Sequence, residues 1–194
     1  SPPAIKEVLF FAERLAEANM PRGALGVNRF HVPPKKPAHG GEMTMPDAAR
    51  ALVTQLAQRY HPHPALAMWH VSNEYACHNL PCYCDICASA FRIWLQNRYG
   101  TTDSLNDAWG TAFWSQRYTD FAQVLPPRRT PTFQNPTHVL DYRRFGSDTL
   151  LGLFLEEKAI LADLSPGVPV TTNFMTMTGF RLLDYHQWAR HQDV

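Results

Sequence analysis

Neither sign of charge dominates this sequence: 18 lysines and arginines stand against 17 aspartates and glutamates, a formal net charge of +1. That balance lacks the electrostatic footprint of a nucleic-acid binder or of a protein that adheres to anionic lipid. No apolar run reaches the length of a transmembrane helix, and the first residues lack the charged and apolar regions of a secretory signal, so the expected compartment is the cytoplasm. The sequence has no internal repeat and no low-complexity tract. Cysteine is missing everywhere except residues 77–87, which hold all four. The staples of a small secreted fold would be spread along the chain, so this crowding points to reduced thiols in a local metal site.

What is present is apolar and aromatic. With 194 residues, 45% of them hydrophobic and 12% aromatic, the chain can bury one sizeable core, as a single domain or as part of a larger one. The most informative stretch begins at residue 65, where a strand-length apolar run through Trp69 and Val71 stops at Ser72-Asn73-Glu74-Tyr75. Such a run reads as a buried strand whose C-terminal end meets solvent, and in parallel α/β folds that end faces the active site. A carboxyl group held there beside Trp69 and Tyr75 is a candidate for desolvation, which would suit Glu74 to donate a proton near neutral pH. On its own an Asn-Glu pair is more often a solvated strand end.

The surrounding pattern alternates helix and strand. Helices are expected over residues 4–20, 46–60, 88–98, 138–164 and 184–191, with Asp103 capping a short one that runs to Trp109. Strands are expected over 24–32, 65–71 and 168–174. Pro126, Pro127, Pro131 and Pro136 mark an exposed, extended connection. Cys82-x-Cys84-x-x-Cys87 has a spacing that can bring three thiolates around a tetrahedral zinc ion, with buried or disulfide-linked thiols as the alternative.

At these residues the chain resembles glycoside hydrolase family 42, the retaining β-galactosidases. The resemblance is carried by Trp69-His70-Val71-Ser72-Asn73-Glu74-Tyr75 and the Cys82–Cys87 cluster, by Phe91-Arg92-Ile93-Trp94-Leu95, by Leu105-Asn106-Asp107-Ala108-Trp109-Gly110-Thr111 and Phe113-Trp114-Ser115-Gln116, and by Val170-Thr171-Thr172-Asn173-Phe174-Met175. It covers residues 46–194, while residues 1–45 diverge from the family pattern: the positions of its sugar-contacting arginine and upstream cysteine fall near Lys35 and His39.

The resemblance implies an α/β fold, part of a (β/α)8 TIM-type barrel. A complete barrel typically needs about 250 residues, so this one is expected to be incomplete. It further implies Glu74 as general acid/base, Asn73 as the partner of the sugar 2-hydroxyl and Trp114 as a wall of the galactose pocket. The nucleophile would come from a later strand, past Val194. Glu156, Glu157 and Asp184 read as structural acids. The implied partner is a β-galactoside, and the implied assembly of a complete protein is a homo-oligomer, a trimer in the family. A structural zinc would use Cys82, Cys84 and Cys87, with His39, Cys77 or His78 as its fourth ligand. The competing reading is a noncatalytic, zinc-stabilised α/β module, which a galactoside assay beside a zinc determination separates.

Overall fold

The computed structural model describes residues 45–76, 81–174 and 183–194, apart from the side chains of Met45 and Trp114. The expected helix at 4–20 and strand at 24–32 lie outside the described residues, as do Lys35, His39, Cys77 and His78. The described residues are mostly helical around one small sheet. In chain order they form α1 (Met45–Tyr60), β1 (Trp69–His70), α2 (Asp85–Tyr99), α3 (Thr102–Trp109), α4 (Pro136–Leu164), β2 (Val170–Thr171) and α5 (Tyr185–Ala189), with short 3-10 turns at Phe113–Ser115 and Phe121–Gln123.

The sheet is parallel, Trp69 paired with Val170 and His70 with Thr171, so β1, the intervening helices and β2 make a β-α-β crossover. Parallel strands need such a crossover. Both strands are shorter than their apolar runs. Met68 is exposed, and residues 60–66 are taken up by turns in which the N–H of His63 bonds the carbonyl of Tyr60 and that of Leu66 bonds His63. On the other strand Pro169 can only accept, and its carbonyl takes the N–H of Trp69 at 2.8 Å. Beside β2 lies the C-terminal segment: the Asp193 N–H bonds the Val170 carbonyl at 3.1 Å, and the Val170 N–H bonds the Asp193 carboxylate at 2.9 Å.

Helix α4 is the spine. Its sequence contains Gly146, yet it runs unbroken for 29 residues; Asn135 caps it, accepting from the N–H groups of Thr137 and His138, and Pro136 opens it. One stretch of α4, with Leu150, Leu151, Phe154 and Leu161, packs with Ala57 of α1, both strands and Trp188 of α5. An earlier stretch, with Tyr142 and Phe145, packs with Phe91 and Leu95 of α2 and with Leu105 and Trp109 of α3. Three local expectations need correction. Thr101, not Asp103, caps α3, its hydroxyl accepting the Ser104 N–H at 3.2 Å, while Asp103 pairs with Arg117. Pro126 and Pro127 are buried rather than exposed. Helix α2 begins at Asp85, because the Cys84 side chain accepts the Cys87 N–H and serves as its cap. No helix among the described residues is long and apolar enough to cross a membrane.

The earlier stretch of α4 also holds a fully buried carboxylate. Asp141 accepts from the Tyr99 hydroxyl, from the Trp109 indole N–H at 2.8 Å and from Arg144 at 2.9 Å, joining α2, α3 and α4. A buried charge that loses its partners, or donors that lose a buried acceptor, is costly. Asp141→Asn is therefore expected to lower the unfolding free energy by about 2–3 kcal/mol, measured by urea denaturation. Arg144→Ala, at a half-exposed partner, should cost less than about 1 kcal/mol.

Candidate active site and cysteine cluster

Because β1 and β2 are parallel, their C-terminal ends lie side by side, Ser72-Asn73-Glu74 next to Thr172-Asn173-Phe174. The Val71 N–H bonds the Thr171 carbonyl at 2.8 Å, the last main-chain bond of the pair. Beyond it the backbone turns through left-handed conformations at Ser72, Glu74 and Ala76, with φ of 54°, 48° and 64°. Asn73 is exposed and Glu74 half-buried. The neighbours expected to supply an apolar setting point into the core: Trp69 donates its indole N–H to Ser165 at 3.0 Å, and Tyr75 packs on Trp188 and Phe154 with ring centroids 5.0 and 6.3 Å away. Glu74 thus stands at the rim of a strand end anchored from below, and its N–H donates to the Asn173 side-chain oxygen at 3.0 Å.

Trp114 belongs to the 3-10 turn Phe113–Ser115, and its side chain lies outside the described set. The loop that carries it is tied down by Asn106, which is buried. The Asn106 oxygen accepts from the Thr111 hydroxyl at 2.7 Å and the Tyr118 N–H at 2.8 Å, and its amide donates to the Tyr118 carbonyl at 2.7 Å. No described contact joins this loop to Glu74. The other acids considered sit elsewhere. Glu156 of α4 pairs with Arg50 of α1, and Asp184 caps α5 by accepting the Gln187 N–H at 3.1 Å. Glu157 is half-buried, and burial, together with the charge of Glu156, pushes its carboxyl up to about 7. It lies in the crossover helix and not at a strand end.

The sulfurs of Cys82, Cys84 and Cys87 lie within 4.8 Å of one another, and all three are free thiols. Burial works against ionisation of Cys84, but the N–H of Cys87, the neighbouring thiols and the N–H of Ile86 outweigh it and lower its pKa. Tyr142 clamps the loop to α4, its hydroxyl donating to the Cys82 carbonyl and its ring stacking on Tyr83 at 5.7 Å. Burial, with the nearby thiols, raises the Tyr142 phenol, so it remains a donor at neutral pH. Three soft donors at this separation fit a tetrahedral zinc ion, for which Zn–S bonds of ~2.3 Å place sulfurs roughly 3.8 Å apart.

Sequence reasoning singled out Glu74, Asn73 and the three thiols as candidates. It missed the anchoring roles of Asn106 and Asn173. The single available signal for the latter was its place at the end of the second parallel run.

The parallel crossover thus places one carboxyl side chain, Glu74, and two amide side chains, Asn73 and Asn173, at adjoining strand ends. Comparison with known proteins resolves the class: the family profile described as β-galactosidase, glycoside hydrolase family 42, matches residues 34–194, and the chain belongs to that family. Over 145 residues it is 54% identical to the β-galactosidase bgaB of Geobacillus kaustophilus, covering 75% of this chain and 21% of that protein. Against the β-galactosidase of Thermus thermophilus it is 48% identical over 149 residues, 76% of this chain and 22% of that one. The solved structure of Gan42B, a family 42 β-galactosidase from G. stearothermophilus, superposes with a TM-score of 0.71 at 40% identity, covering 80% of this chain and 24% of that one. That of the Halorubrum lacusprofundi β-galactosidase superposes with a TM-score of 0.69 at 39% identity, over 76% and 22%. The chain spans about a fifth of the length of the curated relatives it matches.

Proposed function

We propose that residues 46–194 are the part of a retaining β-galactosidase barrel that supplies its general acid/base and part of its sugar pocket. The observation that carries this is the placement of Glu74 and Asn73 at the C-terminal end of β1, beside the end of a parallel neighbour, in a chain of this family. Retaining hydrolysis uses two carboxyl groups about 5–5.5 Å apart. Glu74 protonates the glycosidic oxygen as the bond breaks. It then takes a proton from the water that releases galactose. Asn73 bonds the 2-hydroxyl, an interaction that tightens as the oxocarbenium-like transition state forms. Trp114 offers an aromatic face to the apolar side of the ring. The second carboxylate, the nucleophile, belongs to a later barrel strand, as the resemblance to the family implies; Glu74 is the one acid in 72–74 and 172–174. A complete protein of this kind would act on terminal β-D-galactosides and assemble as a homo-oligomer, a trimer as in the family.

The reading is tested by placing residues 46–194 in the corresponding segment of the G. kaustophilus enzyme, to which the identity is 54%. The graft should hydrolyse an aryl β-galactoside. A graft that unfolds cooperatively yet has no such activity would overturn the reading.

The thiols would hold zinc in a structural role, pinning the start of α2 to the loop after Glu74. Cys84→Ser is expected to lower zinc content and thermal stability together, since metal binding to such a site is coupled to folding. Metal analysis of reduced, folded protein that finds no zinc would contradict the site.

A further inference from the structure

We propose that Asn173 is a positioning residue for Glu74, holding the acid/base through its main chain from the neighbouring strand. The proposal rests on the reading of Glu74 as acid/base. The bond itself joins residues 99 apart in sequence, from the Glu74 N–H to the Asn173 oxygen at 3.0 Å. It comes about because the register places Trp69 beside Val170 and His70 beside Thr171, so Asn173 emerges where β1 has already turned away.

The turn needs such a hold. Ser72, Glu74 and Ala76 all have positive φ and none is glycine, a backbone conformation that a Cβ disfavours. Left to itself the segment would relax toward an extended backbone and swing the Glu74 carboxyl away. Tyr75, wedged between Phe154 and Trp188, fixes the residue after Glu74. The Asn173 bond fixes Glu74 itself.

The acceptor is rigid. Thr172 donates its N–H, and Thr171 its hydroxyl, to the Gln192 side chain at 3.2 and 2.9 Å. Phe174, on the other side, packs on Tyr185 and Trp188 with centroids 5.2 and 5.5 Å away. Asn173 is thus held from both neighbours. Its side chain also meets a chemical demand: the Glu74 N–H needs an acceptor, and a carboxamide provides one without placing a second negative charge beside a carboxyl group that must carry a proton.

A residue acting this way affects the step that Glu74 performs and not sugar binding. In the graft, Asn173→Leu should reduce kcat for lactose about 100-fold, the scale of a misplacement near 1 Å. KM for lactose should stay within about threefold, and the loss in kcat/KM on an activated dinitrophenyl galactoside, which reports the first step alone, should be under about tenfold, because a good leaving group needs little protonation. Asn173→Asp, which still accepts, should recover lactose activity to within about tenfold of the parent and move the basic limb of the pH profile upward through like-charge repulsion.

Deuterium exchange of the 71–76 peptide gives a readout that needs no turnover: Asn173→Leu should speed exchange at Glu74 while leaving the Val71 N–H protected. Unchanged exchange at Glu74 would overturn the proposal, as would equal losses in kcat/KM on both substrates. If Glu74→Gln in the same graft shows no dependence on leaving group, it is the acid/base reading that falls, and Glu74 exchange still reports on the Asn173 bond.

Discussion

The 194-residue polypeptide on its own should leave aryl β-galactosides unhydrolysed, at least ~10⁴-fold below the activity of the graft. The described strand ends, 72–74 and 172–174, contain one carboxylic acid, Glu74. A glycosyl-enzyme intermediate needs a second carboxylate on the opposite face of the anomeric carbon, and protonating the leaving oxygen cannot replace it. Among the described residues the parallel sheet has two strands, whose apolar surface and main-chain groups further strands of a barrel would cover, so the isolated polypeptide should self-associate. Purified protein, prepared from a host lacking galactosidase, settles the point in a chromogenic assay. Turnover abolished by Glu74→Gln would mean that the second carboxylate lies within these residues after all.

In the graft, Glu74→Gln should reduce kcat/KM for lactose about 10³-fold, within the 10²–10⁴ range of general acid catalysis. The glutamine keeps the shape of the side chain and its packing but carries no transferable proton. Glucose leaving from lactose is a poor leaving group and depends fully on that proton. Dinitrophenolate leaves unaided, so the first step with that substrate should be nearly intact, and the slow step becomes attack by water without its base. Steady-state turnover should then fall together with KM as the intermediate accumulates. Equal loss on the two substrates would indicate a structural role for Glu74.

The helices were legible because each carries an apolar stripe at helical spacing. In α4 the stripe of Leu150, Leu151, Phe154 and Leu161 is buried as its spacing required, and Ile160 is half-buried at its edge. The strands were legible in position and not in length, since apolar content cannot show where pairing stops. That depended on turns at 60–66 and on Pro169. Cap identity at Thr101 and Cys84 rested on which side chain reached an N–H first, a difference of one or two residues that composition does not encode. Glu74 and the thiols stood out as candidates because their signals are local. Asp141, Asn106 and Asn173 look like ordinary polar residues in sequence; their roles arise from bonds to groups brought near by folding, 99 residues away in the last case.

The most direct test of Glu74 as acid/base is azide rescue of Glu74→Ala in the graft. Removing the side chain leaves space for a small anion, and azide attacks the galactosyl intermediate without needing a general base. Attack on that intermediate inverts the centre a second time, so restored turnover with β-galactosyl azide as product is the expected result. α-Galactosyl azide would make Glu74 the nucleophile instead, and no rescue with no azide adduct would contradict its place in the reaction.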